Sequence, residues 1–409
     1  MSQACILEIK NMKLNNIFIA IIFVGILTSC QELWEKVPNP KQPTLVRFSS
    51  YNCSLNRNAA GKLLSDLADT NNLQAAKVAE IIQRSNADVI ALLEFDYDAA
   101  DQGIKLFQKN YLSIPHNGSM AVDYPYYYAA PSNTGILSGH DLNNDGKIAL
   151  GDDGFGFGMY AGQYAFVILS KYPIDKNSIR TFQNFLWKDM PNAKLPKIPG
   201  NDSSYYNSKE LEILRLSSKN HVDVPVMIDG NTVHVVVAHP TPPVFDGPED
   251  RNGLRNHDEN RLLSDYVKNE SYLKDDKGIN GGLKVGSKFV IMGDLNADPV
   301  DGESTDFPIN QFIQNATISQ DVLIGNLIPR SEGGKENNKR AGDKNDPSYD
   351  TAFWGLRVDY ILPSANMKVK ATGIFWPTSN DPLFRLVKQI EFANTASDHL
   401  LVWTDVVVK

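Results

Sequence analysis

Short apolar runs rich in β-branched residues recur along the chain, and most of them meet a polar residue where the run ends. These runs predict buried strands at residues 45–52, 88–94, 165–169, 233–238, 289–292, 358–362 and 400–408. Apolar residues at helical spacing predict helices over residues 73–84 and 258–268. The β-α-β order at the start predicts an α/β fold, and the sequence shows no internal repeat and no second domain.

The polar residues at these strand ends belong to one small chemical set of carboxylates, amides and imidazoles. They are Asn52, Glu94, His239, Asp294 with Asn296, Asp359, and Asp398 with His399. Carboxylate and amide oxygens are the ligands that Mg²⁺ and Mn²⁺ prefer. We therefore expect Glu94 and Asp398 to be metal ligands, with Asn52 beside them, while no Cys and His cluster has zinc spacing.

The remaining strand-end residues match the needs of phosphoester hydrolysis, which are an oriented water, a base, and stabilisation of charge on the phosphoryl oxygens. Asp294 and Asn296 are two residues apart, so both face one side if the strand continues. His239 and His399 can donate to phosphoryl oxygens, and Asp359 can orient an imidazole. These five residues are the predicted catalytic set.

The charge balance of the chain bears on its partners. The 409 residues include 40 Lys and Arg against 48 Asp and Glu, which gives a net charge of −8. An acidic chain weakens the case for nucleic acid, because non-specific binding depends on Lys and Arg that neutralise phosphates. A nuclease is still compatible with this charge, since a bound cation can supply positive charge locally.

Residues 1–30 have the pattern of a secretory signal peptide that ends in a lipobox. Lys10 and Lys13 precede a short apolar run, and Leu-Thr-Ser-Cys ends at Cys30. The run is too short for a good spanning helix. The pattern predicts cleavage before Cys30, lipidation of that cysteine and anchoring in the cell envelope, on the periplasmic or outer-surface face. The alternative is an ordinary signal peptide with a chance cysteine.

The segment after the lipobox is a predicted tether, followed by one folded domain. Residues 31–43 carry three prolines and little pattern, and residues 44–409 form the domain. Cleavage and acylation would leave Cys53 as the one free cysteine, so no intramolecular disulfide is expected. Cys53 is predicted to be an inert core thiol.

The order N…E…H…GD-x-N…(V/I)DY…SDH resembles the endonuclease/exonuclease/phosphatase superfamily, the deoxyribonuclease I-like fold, in its secreted or lipoprotein branch. The resemblance spans residues 45–408. It implies an α/β (α+β) four-layer sandwich of two packed, mostly antiparallel sheets flanked by helices. It also implies one role for each strand-end residue: Glu94 and Asp398 as metal ligands, Asn52 near metal or phosphate, Asp294 as the water-activating acid, Asn296 as a phosphate contact, His239 and His399 as phosphate-side imidazoles, and Asp359 as the orienting carboxylate.

Two segments distinguish this chain from the abasic-site endonucleases of the superfamily. The chain reads AHPTPP where those enzymes have Tyr-x-Pro-Asn, and a histidine there is more similar to the phosphatase and deoxyribonuclease branches. Where they carry a tyrosine, the chain reads Gly162-Gln163-Tyr164, and either Gln163 or Tyr164 is expected to face phosphate.

A loop after His239 offers further candidate substrate contacts. Arg251, Asn252 and Arg255 lie close together there, and arginine suits bidentate recognition of phosphate. The alternative is that these side chains cap a helix and form surface salt bridges.

A D-x-N-x-D-G pattern predicts a calcium loop in the long segment before residue 163. Its oxygen ligands would be Asp141, Asn143, Asp145 and, at the twelfth position, Asp152. The twelfth residue is Asp rather than Glu and no flanking helices are predicted. An Asx- and Gly-rich turn without calcium is the alternative.

Together these patterns predict a Mg²⁺- or Mn²⁺-dependent phosphoesterase that acts on a small phosphorylated compound, monoester or diester, by activated-water attack. An extracellular nuclease is the first alternative, with the tyrosine-rich loop 124–128 as a stacking surface. A calcium-stabilised surface binding protein on an inactive scaffold is the second. The expected partners are the small substrate and, through the lipid at Cys30, the membrane. Nucleic acid is less favoured, and no obligate protein partner is evident.

Overall fold

Two β-sheets pack against each other in the computed structural model, which describes residues 43–340, 342–388 and 396–409. Residues Thr44–Val408 form one compact unit. The predicted signal peptide, Cys30 and nearly all of the predicted tether lie outside the described residues. Within the described residues, no helix is both long enough and apolar enough to cross a membrane.

The described part of the chain contains eleven strands. They are β1 (Thr44–Leu55), β2 (Val89–Phe95), β3 (Tyr126–Ala130), β4 (Phe166–Ser170), β5 (Arg180–Thr181), β6 (His221–Ile228), β7 (Asn231–Ala238), β8 (Lys288–Asp294), β9 (Asp359–Pro363), β10 (Lys368–Ile374) and β11 (Val402–Val408). The α-helices are α1 (Lys62–Ala68), α2 (Leu73–Ser85), α3 (Gln102–Phe107), α4 (Ser208–Leu211), α5 (Arg251–Lys268), α6 (Asn310–Ile313) and α7 (Glu332–Asn337). Short 3₁₀ segments are Lys176–Ser178, Trp187–Asp189, Gln320–Val322, Pro347–Tyr349 and Pro382–Leu386, and a π-helical turn spans Gln108–Leu112.

Each sheet contains one parallel pair among antiparallel neighbours. The first sheet has the order β10-β11-β1-β2-β4-β3, and the second has the order β5-β6-β7-β8-β9. Among the eleven described strands, only β1 with β2 and β7 with β8 are paired in parallel. The predicted architecture of two mostly antiparallel sheets flanked by helices is therefore confirmed.

The two parallel pairs bring the candidate residues to one edge of the molecule. Parallel strands end at the same edge of a sheet, and open α/β sheets bind ligands outside the carboxyl ends of their strands. Asn52 and Glu94 lie near the carboxyl ends of β1 and β2, while His239 and Asp294 lie at the ends of β7 and β8. Because β1 of the first sheet contacts β8 and β9 of the second, these two edges meet.

Both faces of the second sheet are buried, which explains the continuous apolar runs in its central strands. In β7, Val235 and Val237 belong to the core shared with the first sheet. The alternating Val236 and Ala238 pack instead with side chains of α5, including Leu262. Cys53 is fully buried in the first of these cores, as expected of an inert thiol, and burial raises its pKa to about 12.

Helix α5 begins seven residues earlier than the predicted start at residue 258. Its first turns are polar, so apolar spacing gives no signal there, yet Asn256, Asp258 and Glu259 are buried. Their polar atoms form hydrogen bonds with neighbouring segments, which offset the free-energy cost of burying a polar helix face.

The prediction of a tyrosine-rich loop at residues 124–128 is wrong. Tyr124 is buried, and its hydroxyl donates to the carbonyl of Ala87 at 3.0 Å. Residues Tyr126–Ala130 form the edge strand β3, paired with β4. Strands β3, β6 and β10 carry weak or interrupted apolar patterns, and only their pairing in the sheets reveals them.

Candidate active site

Asp294 is the centre of the candidate site. Its Oδ2 atom accepts from Nδ2 of Asn52 at 3.1 Å and lies 3.4 Å from Nε2 of His239 and 3.5 Å from Nε2 of His399. Its Oδ1 atom accepts from the backbone N–H of Asn296 at 3.0 Å. One buried carboxylate thus contacts residues that lie up to 347 positions apart in the chain, from residue 52 to residue 399. These residues come together because the two sheets pack against each other.

His399 carries a positive charge held by two carboxylates. Its Nδ1 atom donates to Oδ2 of Asp359 at 2.9 Å, and its other ring nitrogen faces Asp294. Burial lowers the pKa of His399, but the charges of Asp359 and Asp294 overcome this effect and raise it well above the usual value. The indole ring of Trp354 meets the imidazole edge-on at 4.9 Å between centroids, which further restricts its orientation.

The pKa values of the two carboxylates beside His399 are shifted in opposite directions. Burial raises the pKa of Asp294, but His399, His239 and the Asn52 amide more than offset this and lower it below the usual range. Burial dominates at Asp359 and raises its pKa to about 6. Asp294 is therefore the more firmly ionised of the pair, as expected for the group that accepts hydrogen bonds at the centre.

His239 differs electrostatically from His399. Burial and the nearby charge of Lys219 lower the pKa of His239, so its imidazole is neutral at physiological pH. Its Nδ1 atom is buried and has no hydrogen-bond partner among the described residues. The site therefore pairs one neutral and one charged imidazole on the same carboxylate oxygen.

Glu94 is held beside this centre by two amides. Nδ2 of Asn52 donates to its Oε1 at 3.1 Å, and Nδ2 of Asn56 donates to its Oε2 at 2.7 Å. Its backbone has φ of +56°, which is unfavourable for a side chain of this size and is maintained here at the end of β2. Asp398 is half-buried, and its Oδ1 accepts from the Ser54 hydroxyl at 3.0 Å.

The donor chemistry of the centre fits divalent metal use. Glu94 and Asp398 offer carboxylate oxygens, which suit hard cations. Asp294, Asp359 and His399 form a second group, with ligand atoms within 4.8 Å of one another. Both nitrogens of His399 already face carboxylates and the ring is protonated, so the oxygen donors of Glu94 and Asp398 fit a metal better than this group does.

Two cavities meet at this centre. One has a volume of about 520 Å³ and the other about 450 Å³, and Glu94 and His239 line both. Pro242, Val244 and Phe245 form part of the wall of each, and Phe245 is 86 % exposed with φ of +69°. Asp294, Asn296, Asp398 and His399 line the smaller cavity.

This chain matches the sequence model of the Endonuclease/Exonuclease/phosphatase family over residues 49–399. The chain belongs to that family. The match includes every residue of the Asp294 centre, and family members are hydrolases that act on phosphoesters. No curated protein matches the chain by sequence.

Several solved structures are similar to this family member. An endonuclease/exonuclease/phosphatase from Beutenbergia cavernae has 15% sequence identity and a TM-score of 0.48, covering 89% of this chain and 72% of that one. A family protein from Bacteroides thetaiotaomicron has 15% identity, a TM-score of 0.46, and coverage of 90% and 96%. Sphingomyelinase C from Streptomyces griseocarneus has 15% identity, a TM-score of 0.46, and coverage of 88% and 99%.

In this family member the strand does not continue from Asp294 to Asn296, contrary to the alternation expected from the sequence. β8 ends at Asp294, and Asn296 has φ of +49°. Nδ2 of Asn296 donates to the carbonyl of Pro240 at 3.1 Å, which ties the end of β8 to the segment after His239. Asn296 still lines the smaller cavity, so the turn rather than the strand directs it there.

The structure separates the two candidates at residues 163 and 164. Gln163 is buried, and both ends of its side-chain amide are hydrogen-bonded. Its Oε1 accepts from Met159 N at 2.8 Å, and its Nε2 donates to Arg57 O at 2.6 Å. Tyr164 is half-buried and lines the larger cavity, with φ of +56°. Tyr164 is therefore the residue that faces the site, and Gln163 is a structural residue.

The three candidates on α5 also differ from one another. Arg255 donates to the carbonyls of Leu216, Phe155 and Arg215, so its guanidinium supports the backbone of the cavity wall. Asn252 lies in the first turn of the helix, and its N–H donates to Oδ2 of Asp246 at 2.6 Å. Both residues also line the larger cavity, so their role as substrate contacts stays a prediction.

All three residues line the larger cavity, and Arg251 is the one whose charge is paired with a carboxylate. Its guanidinium forms an ion pair with Glu249, and Nη2 lies 4.0 Å from Oδ1 of Asp152. Any substrate anion at Arg251 must therefore compete with Glu249.

The predicted calcium loop forms a turn closed by hydrogen bonds. Oxygens of Asp141 accept from the N–H groups of Asp145 and Gly146 at 3.0 and 2.8 Å, and Asn143 Oδ1 also accepts from Asp145 N at 3.2 Å. Asp153, rather than Asp152, accepts from two N–H groups across the loop, at 2.7 and 2.8 Å. Asp152 is exposed and lines the larger cavity instead of completing the ring expected from spacing.

Two residues of the site have no counterpart in the sequence reasoning. Glu259 accepts from Ser218 N at 2.7 Å and from Thr241 N at 2.6 Å. Helix α5 therefore holds both the segment that precedes β6 and the segment that follows His239. Lys219 is buried and lines the larger cavity with Glu94 and His239. The signal that could have found them is the polar run around Glu259 and a lone lysine just before an apolar strand.

Proposed function

We propose that this protein hydrolyses the phosphoester of a small phosphorylated compound, a monoester or a diester, by attack of an activated water molecule. The observation that carries the proposal is the convergence of two imidazoles and one amide on Oδ2 of Asp294, which lines a cavity of about 450 Å³ that meets one of about 520 Å³.

The residues of the centre have different roles in hydrolysis according to their charge. Asp294 is ionised and is the acceptor that orients water and takes its proton. His399 is protonated and can donate to a phosphoryl or leaving-group oxygen. Asp359 stabilises the charge and fixes the orientation of His399, and neutral His239 can donate a hydrogen bond without adding charge.

A divalent cation, Mg²⁺ or Mn²⁺, belongs to this proposal, with Glu94 and Asp398 as its ligands and Asn52 beside them. When bound, such a cation acts as a Lewis acid that neutralises charge on phosphoryl oxygens. Asn52 and Asn56 hold the Glu94 carboxylate in place for that purpose.

The shape of the site supports a small substrate over nucleic acid. A cavity of this volume has the size of pockets that enclose small molecules. The expected stacking loop at residues 124–128 is instead a buried tyrosine and an edge strand, so the chief observation in favour of the nuclease alternative is lost.

The test is hydrolysis by the protein lacking residues 1–30, with Mg²⁺ or Mn²⁺ and with EDTA controls. The substrates are a phosphate monoester, a phosphodiester, a sugar or inositol phosphate, plasmid and single-stranded DNA. Metal-dependent release of phosphate or alcohol from the small esters, lost in Asp294→Asn, is the expected result. Nicking of DNA without hydrolysis of small esters would replace the proposal with the nuclease, and inactivity on all of them would favour the binding-protein alternative.

Two further expectations are proposals about location and a second ion. The lipobox at Cys30 supports anchoring in the cell envelope, and a Cys30→Ala protein that still partitions with membranes would contradict it.

The Asp141 loop supports binding of Ca²⁺ as a structural ion, distinct from the hydrolytic centre.

A further inference from the structure

Lys219 lies in a buried segment that leads into β6 and is held firmly in place. Its carbonyl accepts from Asn133 N at 2.9 Å. The preceding residue, Ser218, donates both its N–H and its hydroxyl to Oε1 of Glu259, at 2.7 and 2.9 Å. Only 7 % of Lys219 is exposed. The direction of its side chain is therefore set by the surrounding backbone rather than by solvent.

The ammonium group of Lys219 is short of partners. Among the described residues its one hydrogen bond is to the carbonyl of Pro240, at 3.4 Å, and no carboxylate lies within 4.0 Å. An ammonium carries three donors, and burying a charge without partners costs stability. Burial lowers the pKa of Lys219, and a bound anion supplies the partners that its protonated form lacks.

The other cationic side chains that line the larger cavity have partners within the protein. Arg255 donates to three carbonyls, and Arg251 is paired with Glu249. Lys219 also lies next to the reacting centre, because it lines the cavity together with Glu94 and His239. Burial lowers the pKa of His239, and the charge of Lys219 lowers it further.

We propose that Lys219 is a substrate-binding residue whose ammonium donates to a non-bridging oxygen of the reacting phosphoryl group. This inference rests on the proposed function, since it places the phosphoryl group at the inner end of the larger cavity. The anion supplies the acceptors that Lys219 lacks, and the ammonium offsets charge that the phosphoryl oxygens carry into a site with three nearby carboxylates, those of Glu94, Asp294 and Glu259.

The test compares Lys219→Met and Lys219→Arg with the wild type and with Lys197→Met. Lys197 is an exposed lysine paired with Asp202, so its replacement controls for loss of one positive charge. With the best small ester, Lys219→Met is expected to lower kcat/KM by about 10²-fold, and Lys219→Arg by less. The inhibition constant of inorganic phosphate is expected to rise by about tenfold or more in Lys219→Met and to stay unchanged in Lys197→Met.

Thermal stability separates a binding role from a structural one. Methionine has a similar length and no charge, so removing an unpaired buried ammonium should leave the melting temperature equal or higher. A melting temperature several degrees lower, with phosphate inhibition unchanged, would show that Lys219 serves packing and would overturn the inference.

Direct binding of inorganic phosphate, measured by calorimetry with Mg²⁺ present, distinguishes failure of this inference from failure of the proposed function. If the wild type hydrolyses none of the esters yet binds phosphate through Lys219, the function fails and recognition of phosphate by Lys219 stands. If the wild type is active and Lys219→Met keeps its kcat/KM and phosphate affinity, the inference fails alone. A wild type that neither hydrolyses esters nor binds phosphate would overturn both.

Discussion

Nε2 of His399 lies 3.5 Å from Oδ2 of Asp294, and both side chains are at least nine-tenths buried. The imidazolium and carboxylate come from opposite sheets, because Asp294 ends β8 and His399 precedes β11. Burial makes this pairing strong, since little solvent screens it. It also makes each partner dependent on the other, because removing one leaves a buried charge behind.

Replacing Asp294 by Asn is expected to abolish hydrolysis while preserving the fold. The amide has the same shape but cannot accept a proton, so kcat should fall by about 10³-fold or more. The measurement is steady-state hydrolysis of the best small ester, with circular dichroism as a check of folding. Asp306→Asn, at an exposed carboxylate paired with Lys194, is the matched control. Full activity in Asp294→Asn would refute its assignment.

Asp359→Asn should act through His399 rather than on substrate. Nδ1 of His399 donates to Oδ2 of Asp359 at 2.9 Å, and an amide there favours the wrong tautomer and removes a charge that keeps the ring protonated. We expect kcat to fall by about 10²–10⁴-fold with little change in KM. A large rise in KM with kcat unchanged would mean that Asp359 shapes substrate binding instead.

Residues 163 and 164 should give opposite results in a pair of variants. Gln163→Ala removes two buried hydrogen bonds and should lower the free energy of unfolding by about 1–3 kcal/mol. Tyr164→Phe should leave stability unchanged and lower kcat/KM by about tenfold, since Tyr164 lines the larger cavity and its hydroxyl can donate to a substrate oxygen. Chemical denaturation and steady-state kinetics on both variants check the assignment, and a reversed pattern would exchange the two roles.

Stability should fall as pH rises through the range in which Asp350 ionises. Burial, followed by the charges of Asp343, Asp298, Asp301 and Asp346, raises the pKa of Asp350 from 3.8 to about 7. Asp350 is only 2 % exposed, and its Oδ2 atom has no partner among the described residues. The folded state thus binds this proton more tightly than the unfolded state does. Ionisation of Asp350 therefore does not lower the free energy of unfolding below the unfolded pKa, and it lowers it by the full amount above about pH 7.

Asp350→Asn is therefore expected to raise the free energy of unfolding by roughly 1–3 kcal/mol at pH 8 and to change it little at pH 4. Denaturant titrations at the two pH values provide the measurement. Asp202→Asn, at an exposed carboxylate, should show no such difference. A pH-independent effect of Asp350→Asn would contradict this account of its ionisation.

Calcium is expected to stabilise the protein through the loop that begins at Asp141. After chelation, adding Ca²⁺ at 100 times its dissociation constant should raise the free energy of unfolding by about 2.7 kcal/mol, because the ion binds only the folded loop. Asp141→Ala should remove this response. Because Asp153 already closes the loop by hydrogen bonds, a wild type whose melting temperature ignores Ca²⁺ would identify the segment as a turn without an ion.

The sequence by itself determined the fold and the identity of most residues at the Asp294 centre. Strand-end carboxylates, amides and imidazoles are local features, since a buried strand that emerges into solvent leaves its signature in adjacent residues. Asn52, Glu94, His239, Asp294, Asp359, Asp398 and His399 were all predicted in this way, and the structure brings them to one edge of the two sheets.

Only the tertiary structure decided which polar residues face substrate and which support backbone. Gln163 and Tyr164 are neighbours in sequence, yet their environments differ because the loop before β4 turns one inward. Arg255 and Lys219 are both cations, but the first meets three carbonyls and the second meets almost none. Partners of this kind come from distant segments, and neither residue type nor periodicity records which segments will meet.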